Sequence, residues 1–467
     1  MTQTTRDPAS YTDPNGYVFW KDQQVFRRIY PEKSAFFKAL LAHEAIAVLQ
    51  ADGHLTPTRQ VEEGPEGLVL AHDTIWPLSY PQEWCGPMLK EAALTVLSVA
   101  SRLAEAGYGL ADGHPWNVLF AGPKPVFIDL GSITEAPERL LWPAEVQFNR
   151  YCLHPLHLYG AGLGEIARGR LQDLAQGVSA DLALRTLPAR YKLTRPGTYA
   201  KLKASQTAEY LTTRADSARE RAPKAPPKAP DPALLGRIRR GYFAGIRREV
   251  EGLSIGQSGS DWARYYASCP SMGEADAQAK AALMATLLDE LAPQTVLDLG
   301  SNTGQYACMA ARKGARVVAV DQDEPTVAAL YQQVKAEGLD VLPLVMDLGN
   351  PTPATGWCAE QRPDALERLR SELTLMLALI HHLVFTGNIS FQQIARLAAR
   401  SSKRHVILEW VAMDDPMSRY LTRTTTKDFG FYTLPNMVAA LEEAGFTVRQ
   451  EAPHSATRQL LVCTRSL

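Results

Sequence analysis

The chain has 467 residues, of which 46% are hydrophobic and 21% charged, with a formal net charge of −1. That length suits two or three domains of about 100–200 residues each, with enough apolar content for normal cores. The balanced charge excludes a global field for nucleic acid or an anionic membrane; six scattered cysteines with no CxxC pair argue against a disulfide framework or zinc site.

The start, MTQTTRDPASYTDPNG, is polar and lacks an apolar signal core. No apolar run approaches the roughly 18–20 residues that span a bilayer, so the expectation is a cytoplasmic protein without a membrane partner. Residues 17–30 (YVFWKDQQVFRRIY) read as two short strands around a polar turn at Asp22–Gln24. Lys38 to Gln50 and Glu91 to Ala106 carry apolar residues at helical spacing. Residues 124–130, KPVFIDL, form a strand after the Gly122–Pro123 turn.

Residues 110–133, LADGHPWNVLFAGPKPVFIDLGSI, place Asp112 ahead of Asn117, and Asp129 opens DLG. This arrangement is similar to that of protein kinases and antibiotic phosphotransferases, where one Asp positions the substrate hydroxyl while an Asn and a second Asp hold magnesium. The resemblance implies an α+β, kinase-like domain over residues 1–218. It makes Asp112, Asn117 and Asp129 the candidate site for Mg2+ with a nucleotide. Two parts are missing: no glycine-rich loop stands in the first strands, and the strand lysine is absent. Arg27 or Arg28 is the nearest substitute, with Glu44 as a helix partner, and arginine is not equivalent to lysine there. A domain that keeps the fold to bind substrate or brace its neighbour is the alternative.

Residues 219–232, RERAPKAPPKAPDP, break both helix and sheet, because each proline fixes φ and lacks a donor. They read as a semi-rigid linker to a second domain at 233–467. A helical stretch at 233–250 follows, then WARYY at 262–266, where Tyr265 and Tyr266 are candidates either to close over a site or to pack on the sheet. From 279 onward helices alternate with short apolar strands: Thr295–Leu299, Arg316–Val320, Val341–Val345, Leu373–Ile380 and Val406–Trp410. Such strands suit a parallel sheet buried on both faces. Thr433 then caps a helix running to Ala444, Gly445 stops it, and two strands follow near 446–450 and 459–464.

The strongest signal is TVLDLGSNTGQYACMAARKGARVVAVDQDE at 295–324. A strand runs into Asp298, then a tight loop from Gly300 to Gly304, then a helix; a second strand ends at Asp321, whose carboxylate can accept both ribose hydroxyls. Glycines let the backbone turn sharply and approach a ligand, and Asn302 is the non-glycine type that best tolerates positive φ. A nicotinamide fold would show G-x-G-x-x-G around a pyrophosphate. Here the spacing is G-x-x-x-G, and Asp298 would repel that anion while suiting a cationic, amino-acid-bearing ligand.

The region resembles class I S-adenosyl-L-methionine-dependent methyltransferases. The resemblance implies a Rossmann-like seven-stranded sheet whose last strand is antiparallel. It makes Asp298, Gly300, Asn302 and Gly304 the first cofactor motif, Asp321 the ribose acid and Asp347 the contact to the adenine amino group. YPQEWC (80–85), NPTPATGW (350–357), LALIHHL (377–383) and ILEWVAMDDPM (407–417) are similar to a bacterial family of nodulation-associated methyltransferase-like proteins.

His381 and His382, read at the end of the fourth strand, are the candidate general bases; side chains there alternate, so one faces the site, with His382 preferred. Asn350 and Trp357 are candidates for shaping the pocket, or belong to a Pro-rich loop without that role; Glu409 is a candidate for orienting the acceptor, or a structural buried carboxylate. No metal is expected at the histidines. The expected activity is methylation of oxygen on a small-molecule or glycan acceptor, with no nucleic-acid partner. A bifunctional kinase–methyltransferase and a noncatalytic cofactor-binding protein are the alternatives. The acceptor's identity and the oligomeric state are not legible.

Overall fold

The computed structural model describes residues 4–10, 13–135, 142–216, 232–255 and 273–465. The chain divides into two compact units, Met1–Phe120 with Pro125–Gln257, and Ala121–Lys124 with Ser258–Leu467. The linker residues 219–231 and the WARYY segment with Tyr265 and Tyr266 lie outside the described residues.

The first unit opens with an antiparallel sheet of five strands in the order β1-β2-β3-β5-β4. These are β1 (Thr4–Arg6), β2 (Gly16–Lys21), β3 (Gln24–Ile29), β4 (Thr58–Gly64) and β5 (Gly67–His72). The β2–β3 hairpin turns at Asp22 and Gln23, both at positive φ, as a two-residue turn matching the strand twist requires. The run read as one helix from Lys38 to Gln50 is two helices, Pro31–Leu41 and Glu44–Ala51, bent by 68°. His43 breaks them: its ring accepts the Ala45 N–H and starts the second helix. Helix Gly86–Glu105 buries Leu89, Ala93, Val96, Ala100 and Leu103 along one side. Two short pairs follow, β6 (Tyr108–Leu110) with β9 (Ile133–Glu135), and β7 (Val118–Ala121) with β8 (Lys124–Phe127). Among the described residues, no single helix is long and apolar enough to cross a membrane.

Helix Pro232–Glu251 corrects the domain boundary. Proline composition put it at the head of the second domain, yet it packs on helix Gly86–Glu105 of the first unit. Phe243, Val250 and the following Leu253 are buried, and Phe243 meets Trp142 with centroids 5.5 Å apart. Arg247 Nη2 donates to Ser98 Oγ at 2.6 Å, and Lys90 donates to the carbonyls of Glu251 and Leu253.

The second unit is a seven-stranded sheet in the order β12-β11-β10-β13-β14-β16-β15. Its strands are β10 (Thr295–Leu299), β11 (Arg316–Asp321), β12 (Val341–Val345), β13 (Ser371–Met376), β14 (Ser402–Val411), β15 (Phe446–Gln450) and β16 (Arg458–Arg465). All pairings are parallel except those of β16. The apolar strands pack against helices through Val296, Val317, Ala319, Leu373, Leu375 and Ile407. Thr433 caps helix Leu434–Glu443, and Gly445 follows it at φ 90°, as expected from the sequence. The order reverses between β10 and β13, which opens a crevice at their carboxyl ends.

The fourth strand is shorter than expected. It ends at Met376, and helix Ile380–Phe385 begins where the strand was drawn to continue. His381 and His382 therefore sit in the first turn of a helix. Alternation of strand side chains does not apply to them.

Candidate functional site

At the end of β10, Asp298 is only 3% exposed. Burial pushes its carboxyl up to about 7; the Lys280 ammonium and the Ala307 N–H oppose this, and the Asp321 carboxylate adds to it. The next residues make a loop with three left-handed conformations, at Gly300 (φ 76°), Asn302 (φ 49°) and Gly304 (φ 78°). A Cβ on Gly304 would lie 2.3 Å from Leu330 Cδ1, so glycine is needed there for space as well as for φ. Gly300 and Ser301 donate to the Val320 carbonyl, tying the loop to β11.

Asp321 closes the same corner. Its Oδ2 accepts the Asn302 N–H at 2.8 Å and its Oδ1 the Asp323 N–H at 2.9 Å. Burial raises the Asp321 carboxyl above its ordinary value, against these N–H donors. Asp347 follows β12 on the same edge; it is exposed, and its Oδ1 accepts the Gly349 N–H at 2.7 Å. Asn350 is exposed on the same turn, and Trp357 is 79% exposed beyond it.

Chain after β13 reaches the crevice through Ala378 at φ 48°. A Cβ on Gly300 would lie 3.1 Å from Leu379 Cδ1, so this turn and the β10 loop adjoin. The two imidazoles that follow have ring centroids 4.3 Å apart. His381 is buried with its Nδ1 lacking a hydrogen-bond partner, while His382 is half-buried. Burial depresses both rings, His381 well below the ordinary imidazole value and His382 to about 4, with Arg458 adding to each. Both are neutral near pH 7 and poorer proton acceptors than an exposed histidine.

Glu409 has the surroundings of a structural buried carboxylate, one of the two readings open for it. It is fully buried, and its Oε2 accepts from Lys280 Nζ and, at 2.8 Å, from the Ala378 N–H. Its Oε1 lies 3.1 Å from His454 Nε2 and 3.9 Å from Arg458 Nη1. Burial alone would raise this carboxyl; Lys280, His454 and Arg458 together hold it down to about 2. Arg458 in turn grips Asp415 through Nε and Nη2, at 2.8 and 3.0 Å. Protein donors thus occupy Glu409, which supports the Ala378 turn from behind. Lys280, Asp415, His454 and Arg458 were not legible as a group, because they meet from helix Glu274–Leu291, from β14 and the residues after it, and from around β16.

These residues could hold an S-adenosyl ligand: the loop is pinned to Asp321, Asp298 is a buried carboxyl, and Ser301 Oγ and His381 Nδ1 are buried without hydrogen-bond partners among the described residues.

In the first unit, Asn117 Nδ2 lies 3.4 Å from Asp129 Oδ2, and Asp112 Oδ1 accepts Gln147 Nε2 at 3.0 Å. Asp129 Oδ1 accepts Arg27 Nη2 at 2.8 Å and the Gly131 N–H at 3.1 Å. Arg27 meets Asp13 and Asp129 and not Glu44, while Arg28 lies 3.7 Å from Glu66.

No family model matches the chain. It is similar to the nodulation protein NoeA of Rhizobium meliloti (strain 1021), 26% identical over 477 residues, covering 99% of this chain and 96% of that protein. Among solved structures, magnesium protoporphyrin IX methyltransferase (ChlM) from Synechocystis PCC 6803 with bound SAH is 16% identical. It covers 50% of this chain and all of its own, with a TM-score of 0.30. The bifunctional kinase-methyltransferase WbdD is 17% identical over 41% of this chain and 40% of its own, also at a TM-score of 0.30.

Proposed function

We propose that the chain is an S-adenosyl-L-methionine-dependent methyltransferase acting on an oxygen of a small-molecule or glycan acceptor. The observation that carries this reading is the left-handed loop Gly300–Gly304 hydrogen-bonded to Asp321, at the point where a seven-stranded sheet reverses its order. Asp321 would hold the ribose, Asp347 the adenine amino group, and Asp298 the cationic amino-acid end. Bound there, the cofactor supplies an electrophilic methyl group.

The chain's own contribution is orientation and proton removal. His381 and His382 follow Leu379, which adjoins the β10 loop, and in this reading a neutral imidazole of the pair takes the acceptor's hydroxyl proton as the acceptor's oxygen receives the methyl group. Holding acceptor and methyl in line supplies most of the remaining acceleration. The depressed histidines make this a modest base, suited to an acceptor whose hydroxyl is already acidic.

Calorimetric titration of the full chain with S-adenosylhomocysteine and with NAD tests the reading. We expect binding of the first and not the second. Asp321→Ala should weaken it by about 100-fold or more, since two hydrogen bonds to a charged acceptor at about 1.5–3 kcal/mol each, about 3–6 kcal/mol together, are lost. A preference for NAD overturns the methyltransferase reading.

A further inference from the structure

Asp129 and Asn117 stand where a phosphotransferase would hold magnesium, but the groups around them do not fit a metal ion. Arg27, on β3, is buried and bridges two carboxylates: Nη1 meets Asp13, in the segment between β1 and β2, and Nη2 meets Asp129. Asp13 is itself steadied, since its Oδ1 accepts the Asn15 N–H and Asn15 Nδ2 reaches the Gly131 carbonyl, both at 2.8 Å. The guanidinium has room because residue 131 has no side chain; a Cβ there would lie 2.2 Å from Arg27 Nη1.

We propose that the Arg27 guanidinium is a built-in cation of this unit, standing between Asp13 and Asp129 in place of a divalent metal. A metal needs carboxylate oxygens that converge with open lone pairs. Here Asp129 Oδ1 already takes two N–H donors, Oδ2 faces the Asn117 amide, and Asp112 is turned to Gln147. Among the described residues, no group of three or more His, Cys, Asp or Glu side chains is arranged to hold a metal. The charge count alone would leave room for one, because Asp13, Asp112 and Asp129 outnumber Arg27. Burial, with Asp13 and Asp112 adding, raises the Asp129 carboxyl even against Arg27. The neighbouring His72 is held neutral by burial, with Arg27 adding, and competes for neither acid. Arginine suits the role, being charged at every accessible pH and able to bind two carboxylates at once.

The consequence is a domain that keeps the constellation of a phosphotransfer site together without Mg2+ and leaves nucleotide phosphates nothing to bind through. Calorimetric titration of the full chain with MnCl2, alone and with ATP, should give no binding that Asp129→Asn removes. Metal binding that this substitution does remove overturns the proposal. Arg27→Met takes away the internal cation, so the folded variant should acquire a Mn2+ site, lost again in Arg27→Met/Asp129→Asn. A folded Arg27→Met that gains no such site overturns the proposal as well. The wild-type titration stands by itself if Arg27→Met does not fold.

Discussion

Asp298 carries the clearest electrostatic signature of the cofactor loop. Its carboxyl titrates near 7 in the folded chain against an ordinary value of 3.8. The folded state therefore binds this proton more tightly than the unfolded state. Stability from this group is fully present below the unfolded value and is lost as pH rises toward the folded one. Asp298→Asn removes the titration. Relative to the parent chain, the variant should gain roughly 2–3 kcal/mol between pH 5 and pH 8, since each unit is worth about 1.4 kcal/mol. Urea unfolding of both proteins at the two pH values checks it, and an equal offset at both would show that Asp298 ionises normally. The identity of this residue was legible, since an acid before a G-x-x-x-G loop has few structural uses. Its protonation was not, because that depends first on how deeply the fold buries it, and then on Lys280, which opposes the shift, and Asp321, which adds to it.

At the scale of elements, the buried Glu409 cluster ties β14, helix Glu274–Leu291 and the turn carrying the histidines into one assembly. Removing one member of a buried pair leaves an uncompensated charge, which costs about 3–5 kcal/mol. Glu409→Ala should be destabilising by about that much, read as a lower urea midpoint. Adding Lys280→Met should recover part of the loss, because it withdraws the orphaned ammonium. A double variant no more stable than Glu409→Ala would mean that the pair is not the main term.

The sequence conveyed part of this assembly. β10 and β12 were legible to the residue, being short apolar runs bounded by turns, as was the capped helix before β15. The end of β13 was misread. Leu377, Ile380, Leu383 and Val384 continue the apolar run, and a buried strand and the start of a buried helix share that composition. The partners of Glu409 were invisible for another reason: Lys280 lies 129 residues away along the chain, and His454 lies 45.

For the whole molecule, the question is where the chain can be divided. Prolines mark a place where regular structure stops, but they do not say to which side the next helix belongs. Helix Pro232–Glu251 has an apolar face that any core could take; its burial on helix Gly86–Glu105 assigns it to the first unit. Burying Phe243, Val250 and Leu253 contributes about 1.5–3 kcal/mol each, together about 4.5–9 kcal/mol. Whole domains are stable by only about 5–15 kcal/mol. The helix also brings Glu249 to within 3.3 Å of His157 Nε2, and Lys201 pairs with the same carboxylate. A fragment of residues 1–257 should therefore be soluble and unfold cooperatively. A fragment of residues 1–218, ending at the linker, should aggregate or stay unfolded, with the apolar side of helix Gly86–Glu105 bare. Residues 258–467 should keep S-adenosylhomocysteine binding without the helix. Expression of the three fragments, followed by thermal unfolding and calorimetry, checks this. A cooperatively folded 1–218 fragment would return helix Pro232–Glu251 to the second domain, where the prolines alone had placed it.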